Sequence, residues 1–178
     1  VPVLKVDENN RITDLADYCP EKGGEIISTN IMVISRADLQ TVVAESLARG
    51  HKSFHKDILA KSLKKKVIRA YPFEGWYSVI SSLDSYYQSS MDLLKSDVRR
   101  DLFRQAERRI YTKVRNSAPT RYVAGAVVQN SLVADGCVIE GTVENSILFR
   151  GVHVGRGTVV KNCILLQDTY VGSGVSLN

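Results

Sequence analysis

Val154-Gly-Arg-Gly-Thr158 and Val171-Gly-Ser-Gly-Val175 are two copies of one five-residue theme, and Val133-Ala-Asp-Gly-Cys137 is a third. Each runs aliphatic, small, variable, Gly, small. A second theme interleaves with it in Asn130-Ser-Leu132, Asn145-Ser-Ile147 and Asn162-Cys-Ile164. The first theme recurs after 21 and 17 residues and the second after 15 and 17, steps that scatter around 18, or three hexapeptides. Repetition of this kind is the signature of a solenoid. Gly, Asn and Asp tolerate positive φ and make the turns. Short strands rich in Val and Ile each send one aliphatic side chain inward. A single coil cannot bury those side chains alone, so coils stack on their neighbours. An antiparallel sheet with Gly turns gives no reason for the period. The expected fold is a left-handed parallel β-helix of hexapeptide repeats over 125–178, preceded by an α/β region.

Upstream of the repeat the signals are those of an α/β segment. Residues 1–6 alternate as a strand, Asp7-Glu-Asn-Asn10 is a turn cluster, and 11–15 completes a β-hairpin. Residues 17–25, with Pro20 and Gly23-Gly24, read as a loop, and the mostly apolar run 26–35 as a buried strand. Ser35 is placed to N-cap a helix over 36–49, with Leu39, Val42, Val43 and Leu47 at helical spacing and Gly50 ending it. A short helix is expected at 53–62, a strand at 66–71, and a helix at 83–94 with Leu83, Tyr86, Tyr87, Met91 and Leu94 on one face. Residues 96–109 are strongly charged, an exposed helix or linker, and 110–114 is a strand-like connector. The expected organisation is α/β over 1–109, a linker over 110–124, and the β-helix over 125–178.

The 178 residues suffice for one domain or a small pair. A hydrophobic content of 44% and a charged content of 24% are ordinary for a globular protein. No apolar run is long enough to span a bilayer, and no signal peptide is visible, so a cytoplasmic location is expected. Cys19, Cys137 and Cys163 are odd in number and widely spaced, as reduced thiols are, and the latter two occupy small positions of the repeat, where buried structural thiols are expected. A net charge of +5 raises nucleic acid as a partner. The basic residues are dispersed among acids without a recognition-helix pattern, which argues against it; anionic metabolites fit at least as well. The absence of an initiator Met and the end at Val175-Ser-Leu-Asn178 suggest a piece of a longer protein.

Three stretches together resemble one family. Tyr71-Pro-Phe-Glu-Gly-Trp-Tyr-Ser-Val-Ile-Ser-Ser-Leu83 followed by Ser85-Tyr-Tyr-Gln-Ser-Ser-Met-Asp-Leu-Leu94, Ser53-Phe-His-Lys-Asp-Ile-Leu59, and Glu140-Gly-Thr-Val-Glu-Asn-Ser-Ile-Leu-Phe-Arg-Gly151 are similar, in order, to stretches of the glucose-1-phosphate adenylyltransferases. The solenoid portion most resembles the GlgD-type subunits of bacterial glycogen synthesis. The resemblance implies the C-terminal part of such a subunit, with the family's Gly-rich nucleotide-binding loop falling before Val1. The family reaction joins ATP and glucose 1-phosphate into ADP-glucose and diphosphate, with Mg²⁺ held by carboxylates.

The departures from the pattern carry the functional expectation. With Gly75 aligned to the Gly of the family's Gly-Tyr-Trp-x-Asp motif, Val79 stands at the metal-binding Asp, and a valine has no oxygen to give a cation. Ser53 stands where the family has Asp, and His55 where it has Gly. Asp17-Tyr18-Cys19 occupies the register of the Glu-Lys-Pro whose Lys contacts the sugar phosphate; Glu21-Lys22 reaches it only with a slip. Ser28 matches the Ser of the substrate strand. The resemblance thus implies a regulatory, catalytically impaired subunit that works beside a catalytic partner in a homo- or hetero-oligomer, with Ser28 as a substrate contact. No catalytic residue and no resident metal ion or cofactor is expected in this chain. Lys113, Arg115 and Arg121, by position in the linker and by charge, are candidates for a sugar-phosphate effector.

Other chemistries find less support in the residues. His51 and His55 have i, i+4 spacing, but no third ligand accompanies them. Ser81-Ser82 and Ser89-Ser90 lack a nucleophile-elbow setting. A hexapeptide acyltransferase would need a catalytic His, for which His153, expected to be exposed, is the candidate. A pure oligomerisation module would use exposed solenoid ends such as Val175 and Leu177.

Overall fold

The fold was analysed in a computed structural model, which describes residues 2–17, 26–51 and 53–178. By contact the chain divides into two compact units, Val1–Glu74 and Gly75–Asn178. The division falls inside the stretch assigned from sequence to a single α/β segment, and places the helices of 83–103 in one unit with the repeat.

In the first unit β1 (Pro2–Val6) and β2 (Ile12–Asp17) form the expected antiparallel hairpin. Asp7 Oδ1 accepts from the N–H groups of Asn9 and Arg11, both at 2.9 Å, and Asn10 takes the left-handed φ of 57°. This is the Asx-turn chemistry that short polar side chains offer. The short β3 (Ile26–Ile27) pairs with the other edge of β1. Helix α1 (Arg36–Ala48) begins where expected: Ser35 Oγ accepts from Asp38 N–H at 3.1 Å, and Gly50, with φ 68°, follows its end. A wide π-type turn over Phe54–Leu59 runs into α2 (Ala60–Ser62), which meets the expected helix at 53–62.

Two expected strands are corrected here. Only Ile26 and Ile27 of the 26–35 run are in a strand, and both are exposed, as are Ile31 at 80% and Val33 at 102%. A strand is defined by its ladder. β1 offers β3 two pairs, and no other described strand runs beside residues 28–35. Apolar composition alone could not supply the partner. The expected strand at 66–71 is reduced to a bridge between Arg69 and Arg11, flanked by bonds from Ile12 N–H to Ile68 and from Ala70 N–H to Asn10. Likewise α1 leaves Leu39, Val43 and Leu47 exposed, although their spacing is helical. The loop expected at 17–25 lies, beyond Asp17, outside the described residues.

The second unit opens with α3 (Leu83–Asp92) and α4 (Ser96–Phe103). Residues 104–120 then have no regular structure, so the strand-like connector expected at 110–114 is absent. Eleven short strands follow: β4 (Arg121–Tyr122), β5 (Val127–Gln129), β6 (Leu132–Val133), β7 (Val138–Ile139), β8 (Thr142–Glu144), β9 (Ile147–Leu148), β10 (His153–Val154), β11 (Val159–Lys161), β12 (Ile164–Leu165), β13 (Tyr170–Val171) and β14 (Ser176–Leu177). They pair in parallel as three sheets, β4-β7-β10-β13, β5-β8-β11-β14 and β6-β9-β12. This is the expected parallel solenoid. One residue of each strand points inward, and Ile139, Val143, Leu148, Val154, Val160, Leu165 and Val171 make a continuous core. Each such side chain taken from water contributes ~1.5–3 kcal/mol.

The register corrects the sequence reading in one respect. Val154 pairs with Val171 and with Ile139, whereas Val133 pairs with Leu148 in a different sheet. The Gly theme therefore fused two corners of the triangle, which is why its first step was 21. The true coil is 17 residues, as from Arg121 to Val138 and from His153 to Tyr170; the coil from Val138 to His153 has 15. The missing pair is lost at the corner 140–141, which has two residues where 123–126, 155–158 and 172–175 have four.

The Asn theme marks a single corner throughout. Asn130, Asn145 and Asn162 have φ of 40°, 47° and 50°. Each side-chain amide donates to the next: Asn130 to Asn145 at 2.9 Å, Asn145 to Asn162 at 2.7 Å, Asn162 to Asn178 at 2.7 Å. Such ladders satisfy both ends of every amide along a stack. The residue after each Asn adds a second ladder, with Ser131 Oγ accepting from Ser146 N–H at 3.1 Å and Ser146 Oγ from Cys163 N–H at 3.0 Å. Cys137 is buried as expected and Cys163 is half-buried, and burial pushes the Cys163 thiol above its ordinary pKa.

Candidate functional site

The stretch 75–82 carries the motif with the valine, and the second unit pins it at both ends. Trp76 N–H donates to Asp101 Oδ2 at 2.7 Å, and Gln105 Nε2 donates to Asp101 Oδ1 at 2.9 Å, so α4 holds the Trp76 backbone through a carboxylate whose two oxygens are both engaged. Ser78 Oγ is hydrogen-bonded to Ser89 Oγ on α3. At the other end Ser82 caps α3: its Oγ accepts from Ser85 N–H at 3.1 Å, while Ser85 Oγ accepts from the N–H groups of Ser81 and Ser82 at 2.9 and 2.8 Å. This is a capping box with Ser in the place of the usual Glu or Gln. Ser81 and Ser82 are thus employed in starting a helix.

Helix α3 is tied to the solenoid in turn. Tyr87 O–H donates to the Asn162 carbonyl at 2.7 Å, a group made available by the left-handed turn there. Ile147 points away from the solenoid core, since its neighbour Leu148 points into it, yet it is only 9% exposed. Leu94 and Val98 are buried as well and lie outside the solenoid cluster. Of the stripe, Leu94 is buried, Tyr86, Tyr87 and Met91 are half-buried, and Leu83 is exposed.

Val79 is half-buried between the engaged Ser78 and the exposed Ile80. The Val79 side chain is hydrocarbon, and the nearest hydroxyl in sequence is spent on Ser89. Hard cations require several oxygen ligands.

The remaining expected residues fall each within its own unit. Ser28, in the first unit, is half-buried; its Oγ accepts from Asn30 N–H at 3.2 Å, and its N–H donates to the Pro2 carbonyl. Lys113 and Arg115 are exposed on the irregular segment before the solenoid, and Arg121 is exposed on β4, its N–H bonded to the Cys137 carbonyl at 2.8 Å. His153 corrects an expectation: it is half-buried, with its ring stacked on Tyr170 at 4.7 Å and 6°. The next coil covers it, because the register sets Tyr170 directly beside it. Val175 and Leu177 are half-buried against the core.

A cleft of about 240 Å³ in the first unit was not foreseen; Glu45, Arg49, His51, Asp57, Lys61 and Lys65 line it. Arg49 pairs with Glu45 at 3.9 Å and Lys61 with Asp57 at 3.7 Å. Lys61 Nζ also lies 3.1 Å from His51 Nε2. An ammonium only donates, so that imidazole nitrogen is the acceptor. The His55 side chain lies outside the described residues. The Arg49–Glu45 and Lys61–Asp57 pairs are i, i+4 neighbours, whereas Lys61 and His51 are ten residues apart and only the fold brings them together.

Comparison with known proteins agrees with this picture. Residues 116–178 match the family described as GlmU-like, C-terminal hexapeptide. The chain is 40% identical over 134 residues to the glycogen biosynthesis protein GlgD of Bacillus subtilis, a match covering 75% of this chain and 38% of the relative. It is 36% identical over 162 residues to a glucose-1-phosphate adenylyltransferase of Geobacillus stearothermophilus, covering 89% and 42%. A glucose-1-phosphate adenylyltransferase of Clostridium botulinum is 42% identical over 114 residues, covering 62% and 29%. The chain therefore spans about two-fifths of the length of the first of these curated relatives. Fold and match together define a parallel hexapeptide-repeat solenoid protein. Through these relatives it belongs to the glucose-1-phosphate adenylyltransferase family, with GlgD among its kin.

Among the described residues, no helix is long and apolar enough to cross a membrane.

Proposed function

We propose that this chain serves glycogen biosynthesis as part of a regulatory, catalytically impaired subunit that acts beside a catalytic glucose-1-phosphate adenylyltransferase chain. The relatives named for GlgD and for the adenylyltransferase support the glycogen role. The observation that carries the impaired status is Val79, a hydrocarbon side chain set beside a serine already bonded to Ser89, where the family resemblance calls for a metal-binding carboxylate. A nucleotidyl transfer that depends on Mg²⁺ to offset charge on the phosphates loses that stabilisation when the ligand is removed. In this reading the chain contributes positioning and assembly, and α3, pinned through Tyr87 to the solenoid, holds the inactive motif in its fold.

The test is an assay of the protein expressed from its whole gene, with ATP, glucose 1-phosphate and Mg²⁺, alone and with the cognate catalytic chain. Alone it should form no ADP-glucose above background, and it should alter the turnover of the catalytic chain when mixed. Robust ADP-glucose formation without the partner overturns the reading. The variant Val79→Asp should gain Mg²⁺ affinity, read by calorimetry.

A further inference from the structure

Residues 104–121 hold six basic side chains, Arg104, Arg108, Arg109, Lys113, Arg115 and Arg121, and one acid, Glu107. That is a local net charge of +5, equal to the net charge of the whole chain. Removing these seven from the 24 basic and 19 acidic residues leaves 18 of each, so the rest of the molecule is neutral, which corrects the reading of the basic residues as dispersed among acids. All six cations are exposed, and among the described residues none of them is in an ion pair. Like charges at this density repel and disfavour compact structure, which accounts for the absence of a helix or strand from 104 to 120.

Charge is only half of the pattern. Phe103, Ile110, Tyr111 and Val114, interleaved with the cations, are exposed too, Tyr111 and Val114 at 87% each. A small anion could engage two or three of the basic groups and would leave the apolar ones in water. A nucleic acid would engage the cations through its phosphates, but Ile110 and Val114 have nothing to offer a phosphate, and base stacking would use only the aromatic rings. Basic groups around aromatic and aliphatic anchors are the composition of a protein–protein contact, where Arg and Tyr are enriched and dominate the energy.

We propose that the segment 104–121 is a docking strip for an acidic polypeptide surface, with Tyr111 and Val114 as apolar anchors and Arg108, Arg109, Lys113 and Arg115 as the charges that match the partner's carboxylates. The strip steers association through its charge and gains residence time through its anchors.

The experiment uses the full chain and fluorescence anisotropy with three labelled probes: a peptide alternating Glu and Leu, an all-Glu peptide, and an oligothymidylate, all of equal negative charge. The Glu/Leu peptide should bind tightest, with salt weakening it. Replacing Arg108, Arg109, Lys113 and Arg115 together by Gln should cost on the order of tenfold or more in affinity, and Tyr111→Ala with Val114→Ala roughly tenfold. The positions are exposed and outside regular structure, so unchanged unfolding transitions will show that the variants fold. Equal or tighter binding of the oligothymidylate overturns the proposal in favour of nucleic acid. Equal binding of the all-Glu peptide, with no effect of the Tyr111 and Val114 changes, overturns it in favour of charge alone. Failure of every probe to bind overturns it outright.

Discussion

Gly141 sits at the shortened corner of the solenoid, where the next coil's four-residue corner overhangs it. A Cβ built there would meet the Thr158 carbonyl and lie 2.7 Å from the Gly155 carbonyl oxygen, both backbone atoms that cannot rotate away. Gly157 poses the opposite case: its φ of 67° favours glycine, but nothing lies within 4 Å of the added carbon. Gly157→Ala should cost ~1–2 kcal/mol, the left-handed penalty for an L-residue. Gly141→Ala should cost more, at least ~2 kcal/mol, through displaced backbone in a stacked core. Urea unfolding of both variants tests the order, and a milder loss at Gly141 would contradict the corner geometry. In the sequence Gly157 belongs to the repeated theme and Gly141 does not, but neither setting tells what a side chain there would meet. Only the register shows that one is a turn and the other a point of close approach.

Helix α1 and the hairpin illustrate what an element encodes in itself. Capping and turn chemistry act over three or four residues, so Ser35, Gly50 and Asp7 announced their roles in the sequence. The link from α1 to Lys66 did not. Asp38 is hydrogen-bonded to Lys66, and that bond, followed by the one from the Ser35 hydroxyl and the Lys66 charge, holds its carboxyl below the ordinary value of 3.8. A depressed carboxyl contributes stability that is present in full above the unfolded value, and is lost as pH falls through 3.8 toward the folded value. The wild type should therefore lose stability in that acid window relative to Asp38→Asn, whose curve should be flatter there. Unfolding midpoints measured from neutral pH down through the window check this, and parallel curves would count against it. The effect will be small and will shrink with salt, because the pair is exposed.

At the scale of the molecule the two units differ in how much they bury. The solenoid has a continuous core with several side chains wholly shielded, while the first unit buries Val3 and Ser46 and leaves an apolar run and one helix face in water. Local stability follows burial and enclosed backbone bonding. Amide hydrogen exchange of the whole chain should be slowest in β7–β12, whose amides lie between coils, and clearly faster in α1 and β3. Protection of α1 equal to that of β9 would refute this.

The sequence by itself determined the solenoid, its Asn corner, the hairpin and the helix caps. These rest on local chemistry, positive φ at Asn and Gly, side-chain oxygens near free N–H groups, and a period that stacking requires. The tertiary structure alone decided which corner each glycine serves, that strand pairing stops at Ile27 in 26–35 and shrinks to a single bridge in 66–71, that Tyr87 and Asp101 fix α3 and the Trp76 motif, and where the cleft lies. A strand, a buried face or a cleft is a relation between segments distant in the chain. A run of apolar residues states what could be buried, and only a partner in space settles whether it is.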